Sequence, residues 1–252
     1  MNSMLYTQPA TSLTPALIIY LIDASHSMND LCGPMTKIDL VNRALRDVIK
    51  DMVRRSMRDG VVQRRYKVAI LAYSSEVVDV LGGIRDLPDL VREGTPILSA
   101  GGETDTTAGF AAVETLLQEN IARFQSYPAP LVCHLTDALF TESDPSSLIK
   151  RIQTMTVNDG PVLIENVYVA DKMLRASVSD WHTWGGVTKP GQLTNEYARL
   201  LFHLSSPLPE TYRQNINNYG YHLQSGATLF FPGAHTDLVR LAFAVSSATQ
   251  LK

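Results

Sequence analysis

Short, unbroken apolar runs alternate along this chain with longer segments of helical periodicity. Pro15 to Asp23, PALIIYLID, carries no charge until its last residue. Runs of this kind suit strands buried on both faces, as in a parallel sheet. From Thr36 to Gly60, Ile38, Val41, Leu45, Val48, Ile49 and Met52 trace one helical stripe. Thr36 with Asp39 resembles a capping box, and Gly60 is the expected stop. Strands are expected again over 66–75 and 76–84, the two linked as a hairpin. Three more are expected over 130–137, 161–171 and 227–233. A helix with Phe110, Val113, Leu117, Ile121 and Phe124 on its apolar side follows the Gly/Thr-rich stretch 99–110. Another opens with Asp144 as N-cap and Pro145 in the first turn. A last helix ends the chain.

Strands alternating with helices predict an α/β fold. The expected form is a doubly wound, Rossmann-like, mostly parallel six-stranded sheet with helices on both faces. Between Asp171 and Ala227 the pattern weakens, with helices expected only over 195–205 and 209–221. That connection is too long for an ordinary loop. The expected organisation is one domain over 1–252, with its core at about 14–171 and 226–250 and an elaboration at about 172–225.

In doubly wound sheets, ligands sit beyond the carboxyl ends of the strands, near a topological switch point. Polar residues at those ends are therefore the candidates. Asp23, Ser25 and Ser27 leave the first strand on alternate positions. Thr104, Asp105 and Thr106 lie in the Gly/Thr loop, and Asp137 ends the fourth strand. If the first and fourth strands are neighbours, these groups converge. The set is all oxygen, with no thiolate and no paired imidazole. Such hard donors suit Mg²⁺, Mn²⁺ or Ca²⁺ in preference to Zn²⁺. His26 and His134 read as structural or incidental.

These residues carry a resemblance. DASHS, Asp23 to Ser27, resembles the Asp-x-Ser-x-Ser signature of the von Willebrand factor A domain, which forms a metal-ion-dependent adhesion site. GGETDTTAGF resembles the family's threonine loop, with Thr104 in the ligand position. LTDA resembles its Thr-Asp-Gly and places the last ligand at Asp137. The resemblance implies metal binding by Asp23, Ser25, Ser27, Thr104 and Asp137. His26, Asp105 and Thr106 are assigned to a partner-binding rim. It implies a non-enzymatic, divalent-cation-dependent protein–protein interaction module, with Mg²⁺ first and Mn²⁺ or Ca²⁺ as alternatives. A partner's Asp or Glu completes the coordination. Ala138 stands where the family has glycine, and a turn needing a positive φ would be reshaped there.

Composition bounds the remaining classes. The 252 residues are 45% hydrophobic and 19% charged, with a formal net charge of −3. This is enough for one sizeable core and gives no field favouring nucleic acid or an anionic membrane. Two cysteines make no disulfide framework. No Lys or Arg precedes Lys37, so no signal-peptide charge region is read, and a cytoplasmic protein of the intracellular bacterial branch is expected. In that branch the resemblance offers an ATPase, kinase or phosphatase as partner. Two rivals stand beside this reading. One is a metal-dependent phosphoryl-transfer enzyme, which needs a second acid where Ser25 stands. The other is a scaffold with a vestigial metal site.

Overall fold

The computed structural model describes residues 5–137, 144–170, 173–233 and 236–252. Six strands form the main path of the sheet: Ala16–Asp23 (β1), Tyr66–Tyr73 (β2), Val77–Asp79 (β3), Leu131–Thr136 (β4), Leu163–Tyr168 (β5) and Phe230–Pro232 (β6), and a seventh, the two-residue Arg85–Asp86, pairs with β2 off that path. They lie in the order β6-β5-β4-β1-β2-β3. Neighbours along this path are parallel except β3, which returns antiparallel to β2, as does Arg85–Asp86. The α/β reading therefore holds, with the six mostly parallel strands and the hairpin that the apolar runs predict; Arg85–Asp86 is an addition they do not announce. The strand order reverses between β1 and β4, and this is the switch point where a crevice opens.

Seven α-helices are present among the described residues: Lys37–Ser56 (α1), Leu87–Glu93 (α2), Thr106–Asn120 (α3), Ser146–Thr154 (α4), Glu196–Leu204 (α5), Glu210–Asn217 (α6) and Thr236–Ser246 (α7). All eight residues of β1 are buried because helices cover both faces. On one face α1 and α7 lie over Ile18, Tyr20 and Ile22, and the Tyr20 and Phe243 rings stack at 5.2 Å. On the other, Phe110, Val113 and Leu117 of α3 meet Leu17, Ile19 and Leu21. Gly109 lets α3 come close, since a Cβ there would lie 3.0 Å from the Tyr73 ring. A smaller apolar cluster joins α5, Val187 and Leu193 to Phe230. No helix among the described residues is long and apolar enough to cross a membrane.

Local details depart from the sequence reading. Helix α1 stops at Ser56, not at Gly60. Asp59 and Gly60 both have positive φ and turn a short hairpin, Met57–Arg58 against Val61–Val62. Asp-Gly is the dipeptide that such two-residue turns favour. Strand β3 is three residues long, and the chain turns away at Gly82 and Gly83. Helix α2, which the periodicity does not predict, starts with a proline in its first turn and ends at Gly94. In α4 the cap falls on Pro145, while the Asp144 carboxylate accepts from the Ser146 N–H at 2.8 Å. Ala138 lies outside the described residues.

Two ionisable groups are buried on opposite faces of adjacent strands. His134 of β4 bonds Tyr73 Oη through Nε2 and Asn166 Oδ1 through Nδ1, both at 2.8 Å. Asn166 in turn donates to Ser205 Oγ at 3.0 Å, so one polar chain links β2, β4, β5 and the end of α5. Burial pushes His134 down to about 4, the bond to Asn166 only partly opposing it. A neutral ring then donates from Nδ1 and accepts at Nε2. Glu165 of β5 is fully buried beside Cys133, and burial pushes its carboxyl well above the usual range.

These two groups act on stability in opposite senses. A histidine held below its unfolded value contributes fully above about pH 6.5 and loses that contribution as pH falls toward 4. A carboxyl held above its unfolded value favours the fold at low pH and opposes it as pH rises. Urea unfolding across pH should therefore separate them. His134→Gln should flatten the loss of stability between pH 6.5 and 4. Glu165→Gln should raise the midpoint at pH 8 and leave it nearly unchanged at pH 4.5.

Candidate metal centre

The carboxyl ends of β1 and β4 meet at Asp23. Its side chain is fully buried and both oxygens are engaged. Oδ1 accepts from the Ser25 N–H at 2.9 Å, and Oδ2 accepts from the Thr136 hydroxyl at 2.8 Å. The first bond is a local turn of the kind that short acidic side chains make with the backbone two residues on. The second crosses from β1 to β4 and ties the two strand ends. Burial raises the Asp23 carboxyl above the usual range, bonds from Ser25 and Thr136 oppose this, and the charge of Asp137 adds to it.

Beyond Asp23 the chain makes one 3-10 turn, His26–Asn29, that lifts two hydroxyls over the switch point. Ser25 Oγ lies 3.2 Å from Ser27 Oγ, and Ser27 Oγ donates to Asp137 Oδ1 at 2.8 Å. Adjacent oxygens around a small octahedral cation bonded at 2.0–2.1 Å stand roughly 3 Å apart. The three oxygens therefore have a spacing that fits such an ion, and their chemistry is that of a hard cation. Among the described residues no group of three or more His, Cys, Asp or Glu converges. The candidate ligands here are hydroxyls with two carboxylates.

The loop carrying Thr104 is pinned against this motif by its backbone. His26 N–H donates to Gly102 O at 2.9 Å, and Gly101 N–H to Ala24 O at 2.8 Å. Glu103 N–H donates to Ser75 Oγ at 2.9 Å, and Asp105 N–H to Ser74 O at 3.1 Å. Gly102 has φ +80°, and a Cβ there would come within 2.8 Å of Ser75 Oγ, so this close approach depends on glycine. Asn42 of α1 clasps the same loop, donating to Leu98 O at 2.9 Å and accepting from its N–H at 2.8 Å.

The sequence candidates thus fall into three groups. Asp23, Ser25, Ser27 and Asp137 are joined by hydrogen bonds, directly or through Thr136 and the Ser25 backbone. Thr104 sits half-buried on the pinned loop, two residues before α3. Of the rim residues, His26 is exposed. Asp105 is the N-cap of α3, accepting from the Ala108 N–H at 2.9 Å, and Thr106 is buried as the first residue of that helix.

One residue escapes the sequence reading. Lys37 Nζ donates to Asp137 Oδ2 at 2.6 Å and approaches Ser27 O at 3.4 Å and Asp30 Oδ2 at 3.6 Å. Burial works against its charge, yet the bond and charge of Asp137, with Asp30 adding, hold the ammonium above the usual lysine value. No local signal marks it. Lys37 is ten residues from Ser27 and a hundred from Asp137, and it reads as the first residue of a helix.

Residues 18–139 match the family model described as von Willebrand factor type A domain. Among solved structures, proximal thread matrix protein 1 from the mussel byssus is similar in fold, at 16% identity and TM-score 0.50. That match covers 95% of this chain and 47% of the mussel chain. A mutant of the PilB minor pilin from Streptococcus sanguinis is 11% identical, with TM-score 0.50, over 91% of this chain and 60% of that one. The mussel protein is also described with a zinc-occupied MIDAS motif, a structure 19% identical over 64% of this chain and 37% of that chain, with TM-score 0.40. This chain covers less than two thirds of each of these neighbours. No curated protein matches.

The Thr136–Asp23 bond has a measurable weight. Thr136→Val keeps the shape of the side chain and leaves Asp23 Oδ2 buried without its donor. The expected loss is about 1–3 kcal/mol of stability at neutral pH, read by urea unfolding.

Proposed function

We propose, from the match of residues 18–139 to the von Willebrand factor type A domain model, that this chain is a non-enzymatic protein-interaction module working through a divalent cation, Mg²⁺ before Mn²⁺ or Ca²⁺. The observation that carries the reading is the run of oxygens from Ser25 Oγ through Ser27 Oγ to Asp137 Oδ1, at 3.2 and 2.8 Å, at the switch point of the sheet.

Ser25, Ser27 and Asp137 would hold the ion, with Thr104 of the pinned loop as the further hydroxyl ligand. Asp23 orients the motif by fixing the Ser25 backbone and receiving the Thr136 hydroxyl. When bound, the cation supplies an incompletely neutralised, oxygen-seeking centre for an external carboxylate. Neutral hydroxyls dominate the ligand set and leave that residual charge. The partner group is accordingly an Asp or Glu side chain. Leu31 and Ile97, both largely exposed on segments bordering the site, offer apolar contacts to the residues flanking it.

A binding role is favoured over phosphoryl transfer by the state of Asp23. A nucleophilic carboxylate needs an oxygen that substrate can reach, and the Asp23 side chain is fully buried, tied to the Ser25 N–H and the Thr136 hydroxyl. The proposed setting is a cytoplasmic protein of the intracellular bacterial type, acting beside an ATPase, kinase or phosphatase.

Calorimetric titration of chelator-treated protein with Mg²⁺ tests the reading, with Asp23→Ala alongside. Saturable binding is expected in the wild type and its loss in the variant, whose far-ultraviolet circular dichroism should be unchanged. Equal binding in both proteins, or none in either and none once the Lys37 charge is removed, would overturn the metal-bridge reading.

A further inference from the structure

Lys37 occupies a position that helix electrostatics disfavours. It is the first residue of α1, where the helix dipole favours negative charge. Its side chain is only 16% exposed, which adds a desolvation cost. What offsets both is Asp137, whose carboxylate is fully buried and takes the ammonium at 2.6 Å. The backbone builds this contact deliberately. A two-stranded hairpin, Leu31–Cys32 against Met35–Thr36, folds the chain back, and the Lys37 N–H closes it by donating to Asp30 O at 3.0 Å. The same residue that ends the hairpin thus projects its own side chain over the metal motif.

Asp137 is shared. One oxygen accepts from Ser27, the other from Lys37. A second acceptor stands beside the ammonium: Asp30 Oδ2 at 3.6 Å, on a side chain 70% exposed. The ammonium therefore has a weak, solvent-facing partner next to its strong, buried one.

We propose that Lys37 is a tethered cation that competes with a divalent ion for Asp137, and that loading of the site moves its ammonium from Asp137 to Asp30. This rests on the metal-site reading above and adds to it a residue that sets affinity. Two like charges cannot share one buried carboxylate without mutual repulsion. The lysine consequently holds the empty motif together and weakens metal binding at the same time. Its displacement couples metal loading to the hairpin 31–36 at the rim.

The test is calorimetric titration with Mn²⁺ alone on wild type, Lys37→Met, Lys37→Arg, Asp30→Asn and Asp23→Ala, each checked by a thermal melt in metal-free buffer. Lys37→Met should bind Mn²⁺ roughly tenfold more tightly than wild type, since a competing charge is removed. Lys37→Arg, which keeps that charge, should bind no more tightly than wild type. Asp30→Asn leaves the Lys37–Asp137 pair intact, and should weaken binding about threefold by removing the ammonium's second acceptor. It also gives a reading if Lys37→Met does not fold.

The outcomes separate the two claims. Wild-type binding that Asp23→Ala abolishes, with Lys37→Met no tighter, would overturn the competition and leave the metal site standing. Unchanged affinity in Asp30→Asn would overturn the transfer to Asp30. Absence of binding in both the wild type and Lys37→Met would overturn the metal site, and the competition with it. Binding in Lys37→Met alone would support both.

Discussion

The hydrogen bond from Thr136 to Asp23 closes the seam on which the rest of the site depends. Two parallel strands emerge side by side at the point where strand order reverses, and their connections leave toward opposite faces of the sheet. Nothing in the sheet ladder itself holds their ends together beyond the last backbone pair, Ile22 with Leu135. One buried carboxylate does so. It receives a hydroxyl from β4 and a backbone N–H from its own turn, and that turn sets where Ser25 and Ser27 stand. The strand ends, the hydroxyl pair and Asp137 are then fixed relative to one another by bonds of 2.8 to 3.2 Å.

Much of this was legible in the sequence because parallel sheets write themselves plainly. A strand buried on both faces must be apolar throughout, so PALIIYLID and PLVCHLTD stand out, and the acid that ends each one stands out too. The hydroxyls at every second position after Asp23 could be read in the same way. The short elements were not legible. Helix α2 has only seven residues and too few apolar positions to show a period. The Asp59–Gly60 turn sits where a helix stop is equally plausible from composition, and only the pairing of Met57 with Val62 distinguishes them.

Lys37 marks the deeper limit. Its partner lies a hundred residues away and is reached only because a hairpin of six residues reverses the chain between Asp30 and the start of α1. Sequence patterns carry periodicity and local capping, and this contact has neither. In Thr36-Lys37-Ile38-Asp39 the threonine and the aspartate do announce themselves, since they cap the helix through bonds of 2.7 and 3.2 Å. The lysine between them reads as ordinary. The buried pair His134 and Glu165 was half legible: both interrupt apolar runs, but which face each takes follows from register, and register needs the neighbouring strand.

The Asn42 clasp on Leu98 has a consequence for rates. With both amide groups engaged, the segment before the Thr104 loop is held to the same helix that carries Lys37. Three backbone bonds and one to the Ser75 hydroxyl hold the loop's other end to the β1 and β2 turns. The Thr104 loop is therefore held in place by the fold itself, and its conformational entropy is surrendered in folding. Under the proposed function, association with this loop would proceed as rigid-body docking, at a speed set by encounter and orientation rather than by loop closure. Differences in affinity among partners would then reside in how long each stays.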